Sequence, residues 1–257
     1  MARQLLIIMS SLYLIPTLLC DRLGRQSGIQ HRVETVNGFL PPSEFFQNYV
    51  LHQKPVIFKG AAKTLAAYDR WTDEYLKSLP GAAEFKILVE ERSKESSMIE
   101  AARMTTFLNF LNNYNEEDIY CIHTLPDFLR HEMPLFPPID CPELVDLVED
   151  GVLWFSSGDT QSDWHNDAYE NINCLLRGKK EFIMANLTEG NEKVYVDWVE
   201  GFSWVDCYDV DLEKFPTLAQ TEFYNATLEE GDCLYVPFLW FHAVTSFGRY
   251  TVRLTFQ

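Results

Sequence analysis

Three residues of this 257-residue chain have the types and spacing that could hold a metal ion. His165 and Asp167 lie two positions apart, and residues i and i+2 of a strand point to the same side, so both side chains could reach one ion. His242 follows 77 positions after His165, and we place it at the end of an aromatic strand over residues 237–242. Two histidines and one carboxylate on one face of an ion leave adjacent positions open, as in non-haem Fe(II) oxygenases.

The same three ligands also suit zinc, so a zinc hydrolase is an alternative interpretation. The sequence contains neither the HExxH motif of zinc peptidases nor the GxSxG motif of serine hydrolases. No glutamate beside His165 is an obvious general base for such an enzyme, although Glu170 is close in the sequence.

Two longer stretches, 163–182 and 231–242, resemble the core of the JmjC hydroxylases, which are cupin-like Fe(II)- and 2-oxoglutarate-dependent oxygenases. Residues 41–71 are similar to the N-terminal part of the same family. The resemblance implies a mainly β fold with flanking helices, a double-stranded β-helix (cupin or jelly-roll barrel) of the JmjC type. It covers residues 33–257, which we expect to form one domain with a helix-and-strand flank at 33–118 and a barrel core at 119–257.

The resemblance assigns His165, Asp167 and His242 to the iron. Lys180 matches the lysine that pairs with the distal carboxylate of the co-substrate 2-oxoglutarate. A cation is needed at that position because the co-substrate brings a carboxylate into a partly desolvated pocket.

Other positions near the co-substrate follow from the same resemblance. Tyr120 matches a phenol that hydrogen-bonds the distal carboxylate, and Ser162 and Asn171 match polar positions close to it. Arg253 departs from the family, which usually has asparagine on this last core strand. An arginine there could be a second carboxylate partner or could crowd the site, so a catalytically degenerate cupin-like binding protein is a further alternative.

The implied activity is hydroxylation of a protein or peptide side chain, coupled to decarboxylation of 2-oxoglutarate to succinate. The sequence texture is closest to the small JmjC protein hydroxylases, including the lysyl hydroxylase type, rather than to the large demethylases. The chain has 38 acidic against 21 basic residues, a formal net charge of −17. This charge disfavours nucleic acid as a partner and favours a basic peptide. Because relatives usually continue into dimerising C-terminal helices beyond the point matching Gln257, the oligomeric state stays open.

Residues 1–20 have the pattern of a secretory signal peptide or signal-anchor, with one positive charge before an apolar run that is short for a membrane span. We therefore expect a protein of the secretory pathway, in the endoplasmic reticulum lumen or secreted, with no membrane span after cleavage. Glycosylation sequons at Asn186 and Asn225 agree with this location. Cleavage after Cys20 would leave five cysteines without a CxxC pair, some of which could form a disulfide whose partners the sequence does not specify.

The remaining pattern indicates the elements that must position these residues. The predicted elements of the flank are a helix that begins at a Ser43 cap and strands and helices at 56–58, 71–76, 85–89, 104–111 and 119–122. The predicted strands of the barrel are 171–176, 181–184, 233–237 and 250–256, with a long acidic connection over 189–228. Alternating apolar residues in these strands favour antiparallel sheets with helices packed outside.

Overall fold

Two β-sheets enclose a shared apolar interior in the computed structural model. It describes residues 22–25, 29–90, 102–142, 151–186, 198–199, 202–203, 205–247 and 251–256, with side chains omitted at 198–199 and 251–256. The nine-stranded sheet contains, in spatial order, β2 (Glu34–Asn37), β3 (Val56–Lys59), β14 (Cys233–Val236), β9 (Asn171–Leu175), β16 (Thr251–Phe256), β7 (Gly151–Ser156), β6 (Tyr120–Thr124), β4 (Lys86–Glu90) and β5 (Arg103–Thr106). The seven-stranded sheet contains β1 (Ile29–Arg32), β13 (Glu222–Leu228), β10 (Lys179–Ala185), β15 (Phe241–Phe247), β8 (Trp164–Asn166), β12 (Phe202–Ser203) and β11 (Trp198–Val199).

Eight of these strands form the jelly-roll core. Along the chain β7, β9, β14 and β16 lie in the nine-stranded sheet, whereas β8, β10, β13 and β15 lie in the other. Neighbouring core strands within each sheet are antiparallel. The predicted fold class, a cupin-like double-stranded β-helix with flanking helices, is therefore confirmed.

The helices precede the barrel and pack against the outer face of the nine-stranded sheet. They are α1 (Pro42–Phe45), which continues as a π-helical segment over Phe46–Val50, α2 (Ala66–Arg70), α3 (Asp73–Ser78), α4 (Phe107–Asn113) and α5 (Asp127–Arg130), with 3-10 turns at Ala61–Thr64, Pro80–Ala83, Pro137–Ile139 and Pro216–Gln220. Thr72 and Thr106 cap α3 and α4 by accepting a hydrogen bond from the backbone N–H three residues on. The largest buried cluster joins these helices to the strand residues Phe58, Phe155 and Cys174.

Alternation along the strands separates two faces. In β9, Ile172 and Cys174 join the cluster under the helices, whereas Leu175 belongs to a cluster shared by both sheets. The outer face of the seven-stranded sheet is covered by a third cluster, which includes Trp164 and Phe223. The barrel interior and two outer layers are thus distinct surfaces, because successive side chains of a strand point to opposite sides.

Several predicted elements differ from the structure. Ser43 lies inside α1, because Pro41 occupies the cap position and Pro42 begins the helix, a position where proline needs no N–H partner. Residues 104–106 belong to β5, so the predicted helix over 104–111 begins only at Phe107. The connection predicted over 189–228 ends before β13, which begins at Glu222.

A disulfide joins Cys174 on β9 to Cys233 on β14, at directly paired positions of the nine-stranded sheet. Three other described cysteines, Cys121, Cys141 and Cys207, are free thiols. Burial raises the pKa of the Cys121 and Cys207 thiols well above the usual range, so both remain protonated. Within the described part of the chain no helix is long and apolar enough to span a membrane; the predicted signal at 1–20 lies outside that part.

Candidate metal centre

The three predicted metal ligands come together where β8 and β15 pair. His165 lies in β8 directly opposite His242 in β15, and Asp167 follows one residue after β8 ends. One ligand atom from each residue lies within 4.8 Å of the others. The imidazole Nε2 of His242 lies 3.6 Å from the carboxylate Oδ2 of Asp167, and the two imidazole centroids are 4.2 Å apart.

His242 was expected at the end of a strand and instead lies near the beginning of one. Residues 237–240 form a turn, and β15 begins at Phe241. Pro237 and the left-handed backbone of Leu239, with φ of 58°, end the preceding strand. The turn therefore places His242 near the beginning of β15, directly opposite His165.

Backbone carbonyls set the orientation of both imidazoles. Nδ1 of His165 lies 2.8 Å from the carbonyl oxygen of Asp163, and Nδ1 of His242 lies 3.0 Å from that of Trp240. A carbonyl only accepts, so each Nδ1 carries the proton and each Nε2 keeps its lone pair. This is the tautomer that a metal-binding histidine requires, held by partners of the usual kind.

An aromatic ring and nearby carboxyl groups complete the surroundings of the triad. Phe202 in β12 stacks on His165, with ring centroids 5.6 Å apart and planes inclined by 22°. Burial raises the pKa of the Asp163 carboxyl, a shift that His165 opposes and Asp206 reinforces. The donor set and its acidic neighbours suit a divalent cation.

Lys180 lies inside the barrel on β10. It is 1% exposed, and its register partners are Ser246 on β15 and Leu228 on β13. Met184, four residues along β10, is opposite His242. Because residues an even number of positions apart share one face of a strand, Lys180 and the metal ligand His242 lie on the same face of the sheet.

Asn171 offers a polar group to the same interior. It begins β9, is 2% exposed, and its Oδ1 has no hydrogen-bond partner among the described residues. Because buried polar atoms in native proteins nearly always have a partner, this oxygen indicates room for a polar group of a ligand or for water. Lys180 and Asn171 therefore fit a charged, hydrogen-bonding molecule inside the barrel.

The other predicted co-substrate residues occupy different surroundings. Ser162 is buried, and its Oγ accepts a hydrogen bond of 2.8 Å from the Val244 backbone N–H, which joins the segment before β8 to β15. Tyr120 is buried at the beginning of β6, with its ring centroid 6.0 Å from that of Trp154. Arg253 lies in β16, where its backbone is paired with Trp154 of β7 and Leu175 of β9. Its side chain lies outside the described atoms. Their roles toward 2-oxoglutarate stay predictions.

Two residues near the site have roles that the sequence pattern did not indicate. Phe202 reaches His165 only because β12 adds to the sheet beside β8, and no local pattern indicated that pairing. Glu170 accepts hydrogen bonds from the Tyr235 hydroxyl and the Phe238 backbone N–H. It thereby holds the turn before His242, and burial with Glu170 nearby raises the Tyr235 pKa so that this phenol stays protonated. Glu170 therefore stabilises the turn between β14 and β15.

Comparisons with known proteins identify the family. The cupin-like domain family matches residues 42–256. The human bifunctional peptidase and (3S)-lysyl hydroxylase JMJD7 is 24% identical over 242 residues, covering 79% of this chain and 77% of that protein. Lysine-specific demethylase 8 of Xenopus tropicalis is 26% identical over 216 residues, and human tRNA wybutosine-synthesizing protein 5 is 23% identical over 227 residues.

The shares covered differ between these relatives. Both alignments cover 79% of this chain, with 48% of the demethylase and 70% of the tRNA wybutosine-synthesizing protein. The chain thus spans about half the length of the demethylase. A jelly-roll barrel, a His-Asp-His group at its open end and a family match over most of the sequence lead to one assignment: the chain belongs to the cupin-like JmjC oxygenase family.

Proposed function

We propose that the protein is an Fe(II)- and 2-oxoglutarate-dependent oxygenase that hydroxylates a side chain of a protein or peptide. In this reaction 2-oxoglutarate is decarboxylated to succinate. One observation carries the proposal: the His165–Asp167–His242 group and the buried Lys180 lie within one barrel, with His242 and Lys180 on the same face of one sheet.

The chain's own residues would hold the metal and keep it open to substrate. His165 and His242 present Nε2 lone pairs because their Nδ1 protons are donated to carbonyls, and Asp167 adds an anionic oxygen. Three protein ligands leave positions free for a chelating co-substrate. When bound, Fe(II) supplies the oxidation of an unactivated C–H bond, which no protein side chain performs alone.

Lys180 would orient 2-oxoglutarate by pairing with its distal carboxylate. Lys180 is 1% exposed and Asn171 is 2% exposed within the barrel, so together they offer such a carboxylate a cation and an amide. The closed interior excludes water from the ion pair and so strengthens it.

The proposed substrate is a protein or peptide of basic character. The chain carries a net charge of −17, which attracts cationic segments and repels phosphate backbones. One relative is named as a lysyl hydroxylase and another as a tRNA-modifying protein, so the name of a relative alone does not decide the substrate class. The charge favours the polypeptide.

We further propose that the protein works in the secretory pathway. The signal pattern at 1–20 and the Cys174–Cys233 disulfide both support an oxidising compartment. Of the two sequons, Asn225 lies within β13 and donates from Nδ2 to the Gly24 carbonyl, which makes it a poor acceptor for a glycan. Asn186 is therefore the glycosylation site we expect, and a peptide-N-glycosidase shift lost in Asn186→Gln tests it.

The zinc hydrolase alternative gains no general base from Glu170. The Glu170 carboxylate is engaged by Tyr235 and by the Phe238 backbone rather than held beside a metal-bound water. The binding-protein alternative depends on Arg253 and is decided by turnover.

The experiment is a succinate assay on purified protein. With Fe(II), 2-oxoglutarate, ascorbate and a library of lysine- and arginine-rich peptides, we expect succinate together with a +16 Da peptide product. Zn(II) in place of Fe(II) should give neither product. Absence of turnover above a His165→Ala control across the library would reject the oxygenase proposal in favour of a binding role.

A further inference from the structure

A cavity lies on the opposite side of the seven-stranded sheet from the His-Asp-His group. It has a volume of about 300 Å³ and is bounded by β1, β10, β13, β15, the turn at 22–25 and the segment at 207–208. Glu181 and Ile183 of β10 line it, in alternation with Lys180 and Met184, which are buried toward the barrel. The volume is at the lower end of the range of small-molecule sites.

The turn at residues 22–25 is fixed on the sheet and positions two arginines at this cavity. Leu23 is fully buried, and its N–H donates to the Cys207 carbonyl at 2.9 Å. Gly24 has φ of +63°, and a Cβ there would lie 2.8 Å from Ile183 Cγ2, so only glycine fits. Arg22 and Arg25 therefore flank a turn that is anchored on both sides.

The charge at this cavity is opposite to that of the whole protein. The chain has a net charge of −17, yet Arg22, Arg25 and Arg32 all line the cavity. Among the described residues that line it, Glu181 is the sole carboxylate, and it contacts Arg25 and lies 3.7 Å from Lys179. Three guanidinium groups and one carboxylate leave a local excess of positive charge.

Neutral hydrogen-bonding groups surround these cations. Gln30, Asn225, Thr227 and Thr245 line the cavity, and the Tyr208 hydroxyl is held by the Val244 carbonyl at 3.2 Å. Guanidinium groups present paired N–H donors that match the oxygens of phosphate and sulfate, and amide and hydroxyl groups suit the polar body of a small ligand.

We propose that this cavity binds a small molecule that carries a phosphate or sulfate group. The ligand's oxyanion is held by guanidinium groups that line the cavity, Arg32 among them. The site is separate from the metal centre, so its occupancy does not require iron or 2-oxoglutarate.

The test is isothermal titration of the full chain, at constant ionic strength, with sodium phosphate, sodium sulfate, glucose 6-phosphate and glucose. We expect each of the three anions to bind saturably and one to one, and we expect no binding of glucose. Arg32→Gln should weaken this binding about tenfold, since one charge-assisted contact is lost. Arg103→Gln, which removes an exposed arginine paired with Glu117 elsewhere, should leave it unchanged.

Three results would overturn the proposal. These are no saturable binding by the wild type, equal weakening by Arg103→Gln and Arg32→Gln, or a short oligonucleotide that binds more tightly than any small anion. Iron content of Arg32→Gln, measured in parallel, should equal that of the wild type. Because that readout is independent of anion binding, failure here does not bear on the oxygenase proposal.

Discussion

Two directly opposed residue pairs, one in each sheet, have the same backbone relation and different surroundings. His165 and His242 face each other across β8 and β15, and Cys174 and Cys233 face each other across β9 and β14. The histidines lie at the open end of the barrel beside Asp167, whereas the cysteines are fully buried under the helical flank. The first pair can share an ion with a substrate, and the second forms a covalent crosslink. The pair away from the helical flank can therefore bind a metal ion, whereas the pair under the flank stabilises the fold.

The largest effect should come from the histidine pair. His165→Ala removes one of three metal ligands, and we expect succinate formation to fall by at least about a hundredfold, since loss of even indirect support for a metal typically costs ten- to a hundredfold. Bound iron should fall in parallel, as measured by mass spectrometry of the purified protein.

Stability provides the contrast for this substitution. The midpoint of thermal unfolding of His165→Ala should stay close to that of the apo wild type, because the ring is only partly buried. His52→Ala, at an exposed position in the flank, is the matched control and should retain both iron and activity. Full iron content in His165→Ala would contradict the assignment of the centre.

The cysteine pair should give the reverse outcome. The Cys174→Ala/Cys233→Ala double variant opens a crosslink that spans 59 positions, and we expect the free energy of unfolding to fall by about 4 kcal/mol. Urea unfolding measures this change. Iron binding of the folded fraction should persist, because neither sulfur belongs to the metal-ligand group.

A buried thiol of the same sheet is the control for lost packing. Cys121→Ala removes a fully buried free sulfur and should cost only about 1 kcal/mol. If the double variant lost no more stability than Cys121→Ala, the contrast between the two pairs would fail.

The sequence predicted the histidine pair and left the cysteine pair open, for a physical reason. A metal-binding set needs particular residue types at particular spacings, and His165, Asp167 and His242 carry that pattern locally and by family resemblance. A disulfide needs only two cysteines brought together, and any of several pairings satisfied the composition. The pairing of Cys174 with Cys233 followed only from the strand register.

Local structure was predictable where one signal dominated and wrong where two competed. Two candidates precede each of two helices, Thr72 or Asp73 and Thr105 or Thr106, and in the structure Thr72 and Thr106 accept the capping hydrogen bonds. Ser43 also has a hydroxyl group that could cap a helix, but Pro41 occupies the cap position and Pro42 begins the helix. Phe202 was missed because its contact with His165 depends on a strand pairing far along the chain.

A third prediction concerns Lys180, which shares the sheet of the histidine pair. Lys180→Met keeps the side-chain length and removes the charge, so the KM for 2-oxoglutarate should rise by roughly tenfold or more, since a charge-assisted contact is lost. The content of bound iron should not change. Steady-state kinetics with varied 2-oxoglutarate measures the first effect.

The neighbouring lysine is a stringent control. Lys179 is half-exposed on the other face of β10 and pairs with Glu181, so Lys179→Met should leave the KM within about twofold. Equal effects from both variants would mean that the loss reflects general charge rather than a cation inside the barrel.

The smallest effect should come from the edge of the nine-stranded sheet, two strands away from the strand that carries Cys233. Glu34 on the edge strand β2 accepts hydrogen bonds from Lys54 and from the Tyr49 hydroxyl, and these bonds lower the pKa of its carboxyl from the usual 4.5. Burial raises the pKa of Tyr49 to about 12, and the Glu34 carboxylate adds to this shift, so the phenol stays a donor at neutral pH.

Because the folded pKa of Glu34 is lowered, the stabilisation that Glu34 contributes is present above pH 4.5 and is lost as the pH falls through the folded value. Glu34→Gln should therefore cost a few tenths of a kcal/mol at pH 7, as expected for an exposed pair, and less at pH 3 than at pH 7. Urea unfolding at both pH values measures the difference, and a loss approaching that of the disulfide variant would show that the edge of this sheet, rather than its centre, sets its stability.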